Sequence, residues 1–161
     1  SAKRLERLTE NLARSGLSAE VMQADALSWD HAGEANLVLL DAPCSATGIF
    51  QRHPDVLYRT GERQIAELAA QQTALLARAA RWVRPGGHLI YATCSLERAE
   101  GEDQVAAFLA NHPHFSVEPP APEELPPGIA ADAQGCVRTL PGMLADTGGI
   151  AGFFIARLVR A

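Results

Sequence analysis

The sequence predicts an α/β fold in which a helix connects two parallel strands and an antiparallel hairpin closes the sheet. Residues 36–40 are a short apolar run and residues 88–95 a second such pattern, which are typical of strands buried on both faces of a parallel sheet. Residues 63–83 lie between them with apolar side chains at helical spacing, so the three segments fit a right-handed crossover. Residues 136–140 and 153–159 are strand patterns, and the glycine-containing link between them permits a hairpin.

The start of the chain predicts a helix followed by a short strand. Apolar residues recur at helical spacing within residues 2–15, and Gly16 is suited to end that helix. Residues 20–24 are a strand candidate that ends at Asp25.

The middle of the chain predicts a long loop and a second helix. Residues 45–61 are irregular and long for a plain connection, and long loops in compact domains are often functional. Residues 99–111 predict a helix that Pro113 ends. A short strand over residues 115–117 and a loop rich in proline and glutamate over residues 119–135 follow.

The composition fits one globular domain. The chain has 161 residues, of which 47% are apolar and 20% charged, so it can build a core. Its net charge of −5 gives no sign of a globally basic nucleic-acid binder. Arginines nevertheless outnumber acidic residues between Gln51 and Arg84, which fits either a phosphate-binding face or a solvated helix face. No apolar stretch is long enough to span a membrane.

Cysteine usage points to a reducing compartment such as the cytoplasm. Cys44, Cys94 and Cys136 are odd in number and widely spaced, unlike a disulfide framework. No signal peptide is visible. Because the chain opens with Ser1 inside a predicted helix, we expect a piece of a longer protein.

Reactive side chains follow both apolar runs of the predicted parallel pair. Asp41 comes directly after the first run and Cys44 three positions later, while Cys94 lies at the end of the second pattern. Parallel neighbours present their carboxyl ends at one sheet edge, where open α/β sheets bind ligands, so we expect these groups to share a site. Cys94 is then either a nucleophile or a small buried apolar residue.

The same residues allow three kinds of chemistry. Asp41 could bind a ring nitrogen, while Cys44 could move a proton or resolve an adduct with Cys94. A thiol–disulfide pair competes with this interpretation, although the C-x-x-C spacing of such pairs is absent. Asp41, both cysteines and His53 could supply metal ligands, but their spacing matches no zinc pattern, so we expect no metal.

Two further positions have both a functional and a structural interpretation. His53, in Arg52-His-Pro-Asp55, could contact phosphate or a substrate, or simply be exposed on the loop. Asp25 could hydrogen-bond a cofactor or act as a helix N-cap.

Four motifs occur in order along the chain. They are Asp41-Ala-Pro-Cys-Ser-Ala-Thr-Gly48, Arg52-His-Pro-Asp55, Pro85-Gly-Gly87 and Tyr91-Ala-Thr-Cys-Ser95. Together they resemble the RNA (cytosine-5) methyltransferases, and most closely the bacterial Sun/RsmB group, which methylates 16S ribosomal RNA. The likeness covers nearly the whole chain. It implies a Rossmann-like, S-adenosylmethionine-dependent methyltransferase sheet.

The resemblance also implies a reaction and roles for individual residues. A methyl group passes from S-adenosylmethionine to C5 of a cytosine in RNA, and the target base must be unstacked to reach the pocket. By the family pattern, Cys94 is the nucleophile that attacks C6, and Cys44 is associated with product release. Asp41 lies between cofactor and base, and Asp25 matches the acidic position that holds the adenine of the cofactor.

The sequence departs from the family in two respects. The family's glycine-rich cofactor loop, its first two strands and its N-terminal RNA-binding domain are absent, so we expect residues 1–161 to be the C-terminal part of a catalytic domain. The missing first strand should lie beside the strand that ends at Asp41. The family's closing Asp-Gly-Phe-Phe motif has Ala151 in place of its aspartate. Two alternatives remain: an inactive truncated fragment that binds RNA, and a thiol redox protein using Cys44 and Cys94.

Overall fold

The computed structural model describes residues 2–30 and 34–161, which form two compact units, Ser1–Asp30 and His31–Ala161. In the first unit, helix α1 (Ala2–Arg14) ends two residues before Gly16, the predicted capping glycine, which has a φ of +66°. Residues 17–25 have no regular secondary structure, so the strand predicted over residues 20–24 is wrong. Met22 is 52% exposed, and no described strand pairs with this segment, so nothing holds it extended.

The second unit contains a five-stranded sheet in the order β1-β2-β5-β3, with β4 also paired to β5. β1 and β2 are parallel, whereas β5 is antiparallel to β2, β3 and β4. The α/β class and the closing hairpin are therefore confirmed. The strands are β1 (Ala35–Asp41), β2 (Val83–Thr93), β3 (Phe115–Val117), β4 (Val137–Thr139) and β5 (Phe153–Arg160).

Helices α2 (Val56–Arg59), α3 (Glu62–Ala80) and α4 (Glu102–Asn111) complete the second unit. The core joins buried side chains of α3 and α4 to those of β2 and β5, so both helices cover one face of the sheet. The predicted crossover helix is confirmed, but it ends at Ala80 because β2 begins three positions later. In the described ranges, no helix is both long and apolar enough to cross a bilayer.

The predicted helix over residues 99–111 is interrupted near its start. A 3₁₀ turn over Arg98–Glu100 precedes α4, and Gly101 separates the two. A Cβ atom on Gly101 would lie 2.6 Å from the Arg138 guanidinium and 3.0 Å from the Phe154 ring. The chain therefore needs a glycine where this turn meets the sheet.

β1 differs from its prediction as a strand buried on both faces. Val38 and Leu40 pack against the core, but Leu37 is 55% exposed and Leu39 is 66% exposed. The side chains alternate between two faces, and only one face of β1 is covered. Among the described residues, β1 also has a strand neighbour on one side only, since it lies at the edge of the sheet.

Candidate active site

The two predicted cysteines meet where β1 and β2 end. Asp41 is in register with Ala92, so the two parallel strands end at the same edge of the sheet. Beyond them, Cys44 Sγ and Cys94 Sγ lie 3.5 Å apart, within hydrogen-bonding distance for sulfur. Both are free thiols and half-buried. The structure thus brings together two reactive groups that are 50 positions apart in the chain.

The contact gives the two thiols opposite acidities. The hydrogen bond from Cys44 lowers the pKa of Cys94 to about 7, while burial and the charge of Asp41 oppose that shift. The same hydrogen bond, burial and the charge of Cys94 raise the pKa of Cys44 well above its usual range. Cys94 is therefore the more acidic thiol of the pair, and Cys44 donates the hydrogen bond when Cys94 is ionised.

Asp41 lies at the mouth of this site. It is the last residue of β1 and is exposed. Its charge acts on the Cys94 thiol, which places the carboxylate near the pair. Among residues 2–30 and 34–161, none donates a hydrogen bond to the Asp41 carboxylate. Asp41 is therefore available to a ligand.

The other predicted site residues lie outside the thiol pair. Arg52 and His53 are exposed on the loop, with their backbone N–H groups bonded to the Ile49 carbonyl. Asp25 belongs to the first unit, where its Oδ1 accepts a hydrogen bond from the Leu27 N–H and caps a turn. Within the described part of the chain, no group of three or more His, Cys, Asp or Glu side chains could hold a metal ion.

The loop after Cys44 is tied to the end of β2 by backbone hydrogen bonds. The Gly48 N–H donates to the Cys94 carbonyl at 2.9 Å, and the Gly152 N–H donates to the Gly48 carbonyl at 2.8 Å. A Cβ atom on Gly48 would lie 2.1 Å from the Gly152 oxygen, so no other residue fits. Ala151 precedes this contact, and its carbonyl accepts a hydrogen bond from the Thr139 hydroxyl. The segment before β5 thus supports the cysteine loop.

Glu100 is a site residue that the sequence did not reveal. It is completely buried. Its Oε1 accepts hydrogen bonds from the Ser45 N–H at 2.9 Å and from Gln72 Nε2 at 3.0 Å. Its Oε2 accepts from the Ser95 hydroxyl at 2.6 Å and from the Ser45 hydroxyl. The only signal in the sequence is that Cys44 and Cys94 are each followed by a serine, and it does not point to Glu100.

Further contacts fix the backbone around Glu100 and Ser95. The Tyr91 hydroxyl donates to the Glu100 carbonyl at 2.7 Å. Arg138 donates to the Ser95 carbonyl at 2.9 Å and makes two 2.8 Å hydrogen bonds to Glu102. The Arg138 guanidinium also lies 5.1 Å from the centre of the Phe154 ring. The turn after Cys94 is therefore held by both sheet and helix.

The third cysteine, Cys136, lies in a different environment from Cys44 and Cys94. Cys136 is buried, and burial together with the charges of Asp132 and Glu102 raises its pKa to about 11. It lines a cavity of about 620 Å³ between α4 and the loop before β4. Neither Cys44 nor Cys94 lines that cavity. Cys136 is thus a protonated core thiol at neutral pH.

Comparison with known families and proteins gives a consistent result. Residues 1–159 match the family model described as 16S rRNA methyltransferase RsmB/F. The ribosomal RNA small subunit methyltransferase B of Shewanella oneidensis is 48% identical over 112 residues, which cover 68% of this chain and 26% of that protein. The protein of the same name from Klebsiella pneumoniae is 39% identical over 165 residues, covering 98% of this chain and 34% of that protein. The chain therefore spans about a third or less of these relatives.

Solved structures share the fold. NSun6 from Pyrococcus horikoshii, whose crystal structure was determined with SFG, superposes with a TM-score of 0.83 at 29% identity, covering 99% of this chain and 39% of that one. A methyltransferase homolog from the same organism gives a TM-score of 0.76 at 26% identity, covering all of this chain and 51% of that one. The expected Rossmann-like methyltransferase sheet is thereby confirmed.

Proposed function

Since this chain belongs to the 16S rRNA methyltransferase RsmB/F family, we propose that it forms the catalytic part of an S-adenosylmethionine-dependent enzyme that methylates C5 of a cytosine in RNA. The proposed substrate is 16S ribosomal RNA, and the proposed compartment is the cytoplasm, where thiols stay reduced. The observation that carries the proposal is the 3.5 Å contact between Cys44 Sγ and Cys94 Sγ, which gives one thiol the acidity of a nucleophile at neutral pH.

Cys94 is the proposed nucleophile. Its thiolate adds to C6 of cytosine, and the electrons of the C5–C6 double bond move toward C5, which then bonds to the methyl group. S-adenosylmethionine, when bound, supplies that methyl group. Loss of the C5 proton returns an electron pair to the C5–C6 bond, and the C6–S bond breaks to release the Cys94 thiolate. With a pKa of about 7, Cys94 needs no separate base to become reactive.

Cys44 is proposed to accept the C5 proton or to assist the release step. Its pKa is raised by its hydrogen bond to Cys94, by burial and by the Cys94 charge. The first and third of these causes disappear once Cys94 Sγ is bonded to C6, because a thioether is uncharged and a weak acceptor. The pKa of Cys44 then falls, so Cys44 can lose its proton to solvent, and the resulting thiolate can accept the C5 proton at the stage where that proton must leave.

Asp41 and Asp25 are proposed to hold the cofactor. The exposed Asp41 carboxylate stands at the C-terminal end of a parallel strand, where open α/β sheets bind ligands. A carboxylate with no protein donor in the described ranges suits the N–H groups of the cofactor or of the cytosine ring. Asp41 therefore suits one part of a site for S-adenosylmethionine, which would supply the methyl group when bound. Asp25 is proposed to hold its adenine.

Arg52 and His53 are proposed to contact RNA. Both side chains are exposed on the loop that begins beside Cys44. Arg52 also lines a cavity of about 80 Å³ together with Gly48 and Ala151. A guanidinium at this place suits the phosphate backbone, which supplies much of the affinity of proteins for nucleic acids.

Residues 1–161 are proposed to be the C-terminal part of a larger catalytic domain. Two observations support this. The chain spans 34% of its Klebsiella relative. The outer edge of β1 is also uncovered in the described structure, with Leu37 and Leu39 exposed beside it. An upstream strand and cofactor loop are proposed to cover this edge, and an RNA-binding domain is proposed to precede them.

Removal of the Cys94 thiol tests the proposed reaction. In the full-length enzyme, Cys94→Ala should lower transfer of labelled methyl groups from S-adenosylmethionine to 16S ribosomal RNA to background. Cys136→Ala is the matched control, because it removes a protonated core thiol and should leave the rate near wild type. Activity of Cys94→Ala near wild type contradicts the nucleophile assignment. A wild-type product other than 5-methylcytosine contradicts the reaction itself.

A thiol redox protein is the second candidate, and the same short contact favours it. Two thiols with Sγ atoms 3.5 Å apart can close a disulfide with a small movement. The step removes two protons and two electrons, which a peroxide would take up as it is reduced. A disulfide that forms reversibly in a protein without methyl-transfer activity supports this candidate. Methyl transfer that requires reduced thiols contradicts it.

A further inference from the structure

Glu100 is a buried carboxylate held by neutral donors. It is completely buried, and within the described ranges no Lys, Arg or His side chain forms an ion pair with it. A buried charge without a counter-charge is unfavourable unless its oxygens are fully hydrogen-bonded. Its four donors meet that requirement. The cost of burying Glu100 is therefore offset by hydrogen bonds, and the position of its donors shows which segments it joins.

The donors to Glu100 come from the two cysteine turns. Ser45 directly follows Cys44 and donates both its N–H and its hydroxyl. Ser95 directly follows Cys94 and donates its hydroxyl. The two serine oxygens also lie 3.1 Å apart. One side chain therefore bonds to the residue after each thiol, on segments that are otherwise 50 positions apart.

The fourth donor, Gln72, also hydrogen-bonds the residue before Cys44. Gln72 Nε2 donates to the Pro43 carbonyl at 2.8 Å and to Glu100 at 3.0 Å. The Cys44 turn is thus held on both sides through groups that all converge on Glu100. A shift of this carboxylate would move the Cys44 turn relative to the Cys94 turn.

We propose that Glu100 is a positioning residue, whose carboxylate fixes the separation of the two thiols so that Cys44 can donate its hydrogen bond to Cys94. The proposal rests on the proposed function in that the thiolate so produced is the nucleophile for cytosine C6. Glu100 itself is buried and does not touch substrate.

A positioning role and a charge effect predict opposite results. The groups that act on Cys94 are Cys44, whose hydrogen bond lowers its pKa, and Asp41 and Glu100, whose charges raise it along with burial. If Glu100 acted by charge alone, its removal would make Cys94 more acidic. If Glu100 positions the thiols, loss of its contacts breaks the Cys44 hydrogen bond and makes Cys94 less acidic.

The experiment compares Ser45→Ala/Ser95→Ala, Glu100→Gln and Glu100→Ala in the full-length enzyme. The serine double variant removes the hydroxyl contacts but keeps the Ser45 N–H and Gln72 hydrogen bonds. Gln104→Ala is the control, because Gln104 is buried nearby and bonds to Thr73 and Ala99 rather than to the cysteine turns. The alkylation rate of Cys94 by iodoacetamide is followed against pH by mass spectrometry, alongside kcat, KM for RNA and the melting temperature.

For the serine double variant, we expect alkylation of Cys94 at pH 7 to fall about fivefold and kcat to fall at least about tenfold, with KM for RNA nearly unchanged. Glu100→Gln should keep more activity than Glu100→Ala, because the serine hydroxyls can reverse and accept from its amide. Gln104→Ala should stay within about twofold of wild type in both rates.

The proposal is overturned if the folded double variant alkylates at the wild-type rate or faster. It is also overturned if every variant except Gln104→Ala fails to fold, since Glu100 then serves the fold alone. If Glu100→Ala alone is unfolded, the double variant decides. Alkylation needs neither RNA nor cofactor, so it tests the positioning role even if the wild-type protein transfers no methyl group.

Discussion

Cys44→Ala should raise the pKa of Cys94 and change its reactivity measurably, because it removes the 3.5 Å contact between the two sulfur atoms. The hydrogen bond from Cys44 is the main cause that lowers the Cys94 pKa from 9.0 to about 7. Alanine cannot donate that hydrogen bond. Burial and the charge of Asp41 remain in the variant and both oppose ionisation, so the pKa should return to its ordinary value or above.

Two opposing changes set the alkylation rate of Cys94 in this variant: its ionised fraction falls and the nucleophilicity of its thiolate rises. At pH 7, a thiol with a pKa of about 7 is roughly half ionised, whereas one with a pKa of about 9 is roughly one per cent ionised, a loss of about fiftyfold. A more basic thiolate is also more nucleophilic, by about eightfold for two pKa units at a Brønsted slope of 0.4–0.5. Ionisation outweighs nucleophilicity, so alkylation at pH 7 should fall about sixfold.

At high pH, Cys94 should instead be alkylated faster in Cys44→Ala than in the wild type. Above both pKa values each thiol is fully ionised, and the variant with the more basic thiolate should react about eightfold faster. The two pH profiles should therefore cross near pH 8. Cys44→Ser is the matched control, because its hydroxyl can still donate a hydrogen bond to Cys94 and should keep part of the shift.

The assay is site-resolved alkylation by iodoacetamide between pH 5 and pH 10, with each cysteine followed by mass spectrometry. Cys136 serves as an internal reference, because its pKa of about 11 should keep it unreactive below pH 9. A midpoint for Cys94 that stays near 7 in Cys44→Ala would refute the reasoning. So would profiles that never cross.

The same variant gives a second measurement with RNA. If Cys44 assists release, Cys44→Ala should accumulate a covalent complex between Cys94 and RNA that survives denaturing electrophoresis. Cys44→Ala/Cys94→Ala should form no such complex. Absence of any complex from the single variant would count against a two-cysteine mechanism.

Two other predictions concern the loop and the boundary of the domain. Gly48→Ala should lower the free energy of unfolding by at least about 2 kcal/mol, because its Cβ would overlap the Gly152 oxygen. Gly61→Ala is the control, because a Cβ there would have no atom within 4 Å, and it should cost less than about 1 kcal/mol. Denaturant titrations measure both. S-adenosylmethionine should bind, by calorimetry, to a chain extended upstream and not to the 161-residue chain alone; tight binding to the shorter chain would mean that Asp25 and Asp41 have been assigned wrongly.

The pairing at the centre of the fold could be predicted from sequence because its signals are local. The apolar run of β1, the helical spacing of α3 and the apolar run of β2 lie in order along the chain. A strand–helix–strand segment with parallel strands almost always forms a right-handed crossover, so few topologies are possible. This crossover brings the two cysteine turns to one edge of the sheet. The predicted strand over residues 20–24 failed because strand propensity is weak without a partner strand, and no described strand pairs there.

Glu100 could not be predicted because nothing local distinguishes it from its acidic neighbours. Glu97, Glu100, Glu102 and Asp103 lie within one short stretch. Only Glu100 is completely buried, and its donors lie 5, 28 and 55 positions away. Pattern analysis over a single segment does not detect partners at such separations. The close approach at Gly101 is equally non-local, because the group that a Cβ atom there would meet belongs to Arg138.

The uncovered edge of β1 bears on how the isolated chain should behave in solution. An open strand edge offers backbone N–H and C=O groups to any other extended chain, and natural proteins usually protect such edges. β1 carries no lysine or proline that would do so, and Leu37 and Leu39 add exposed apolar surface. Copies of this chain should therefore aggregate edge to edge as concentration rises, and a lysine at Leu39 should keep them in solution.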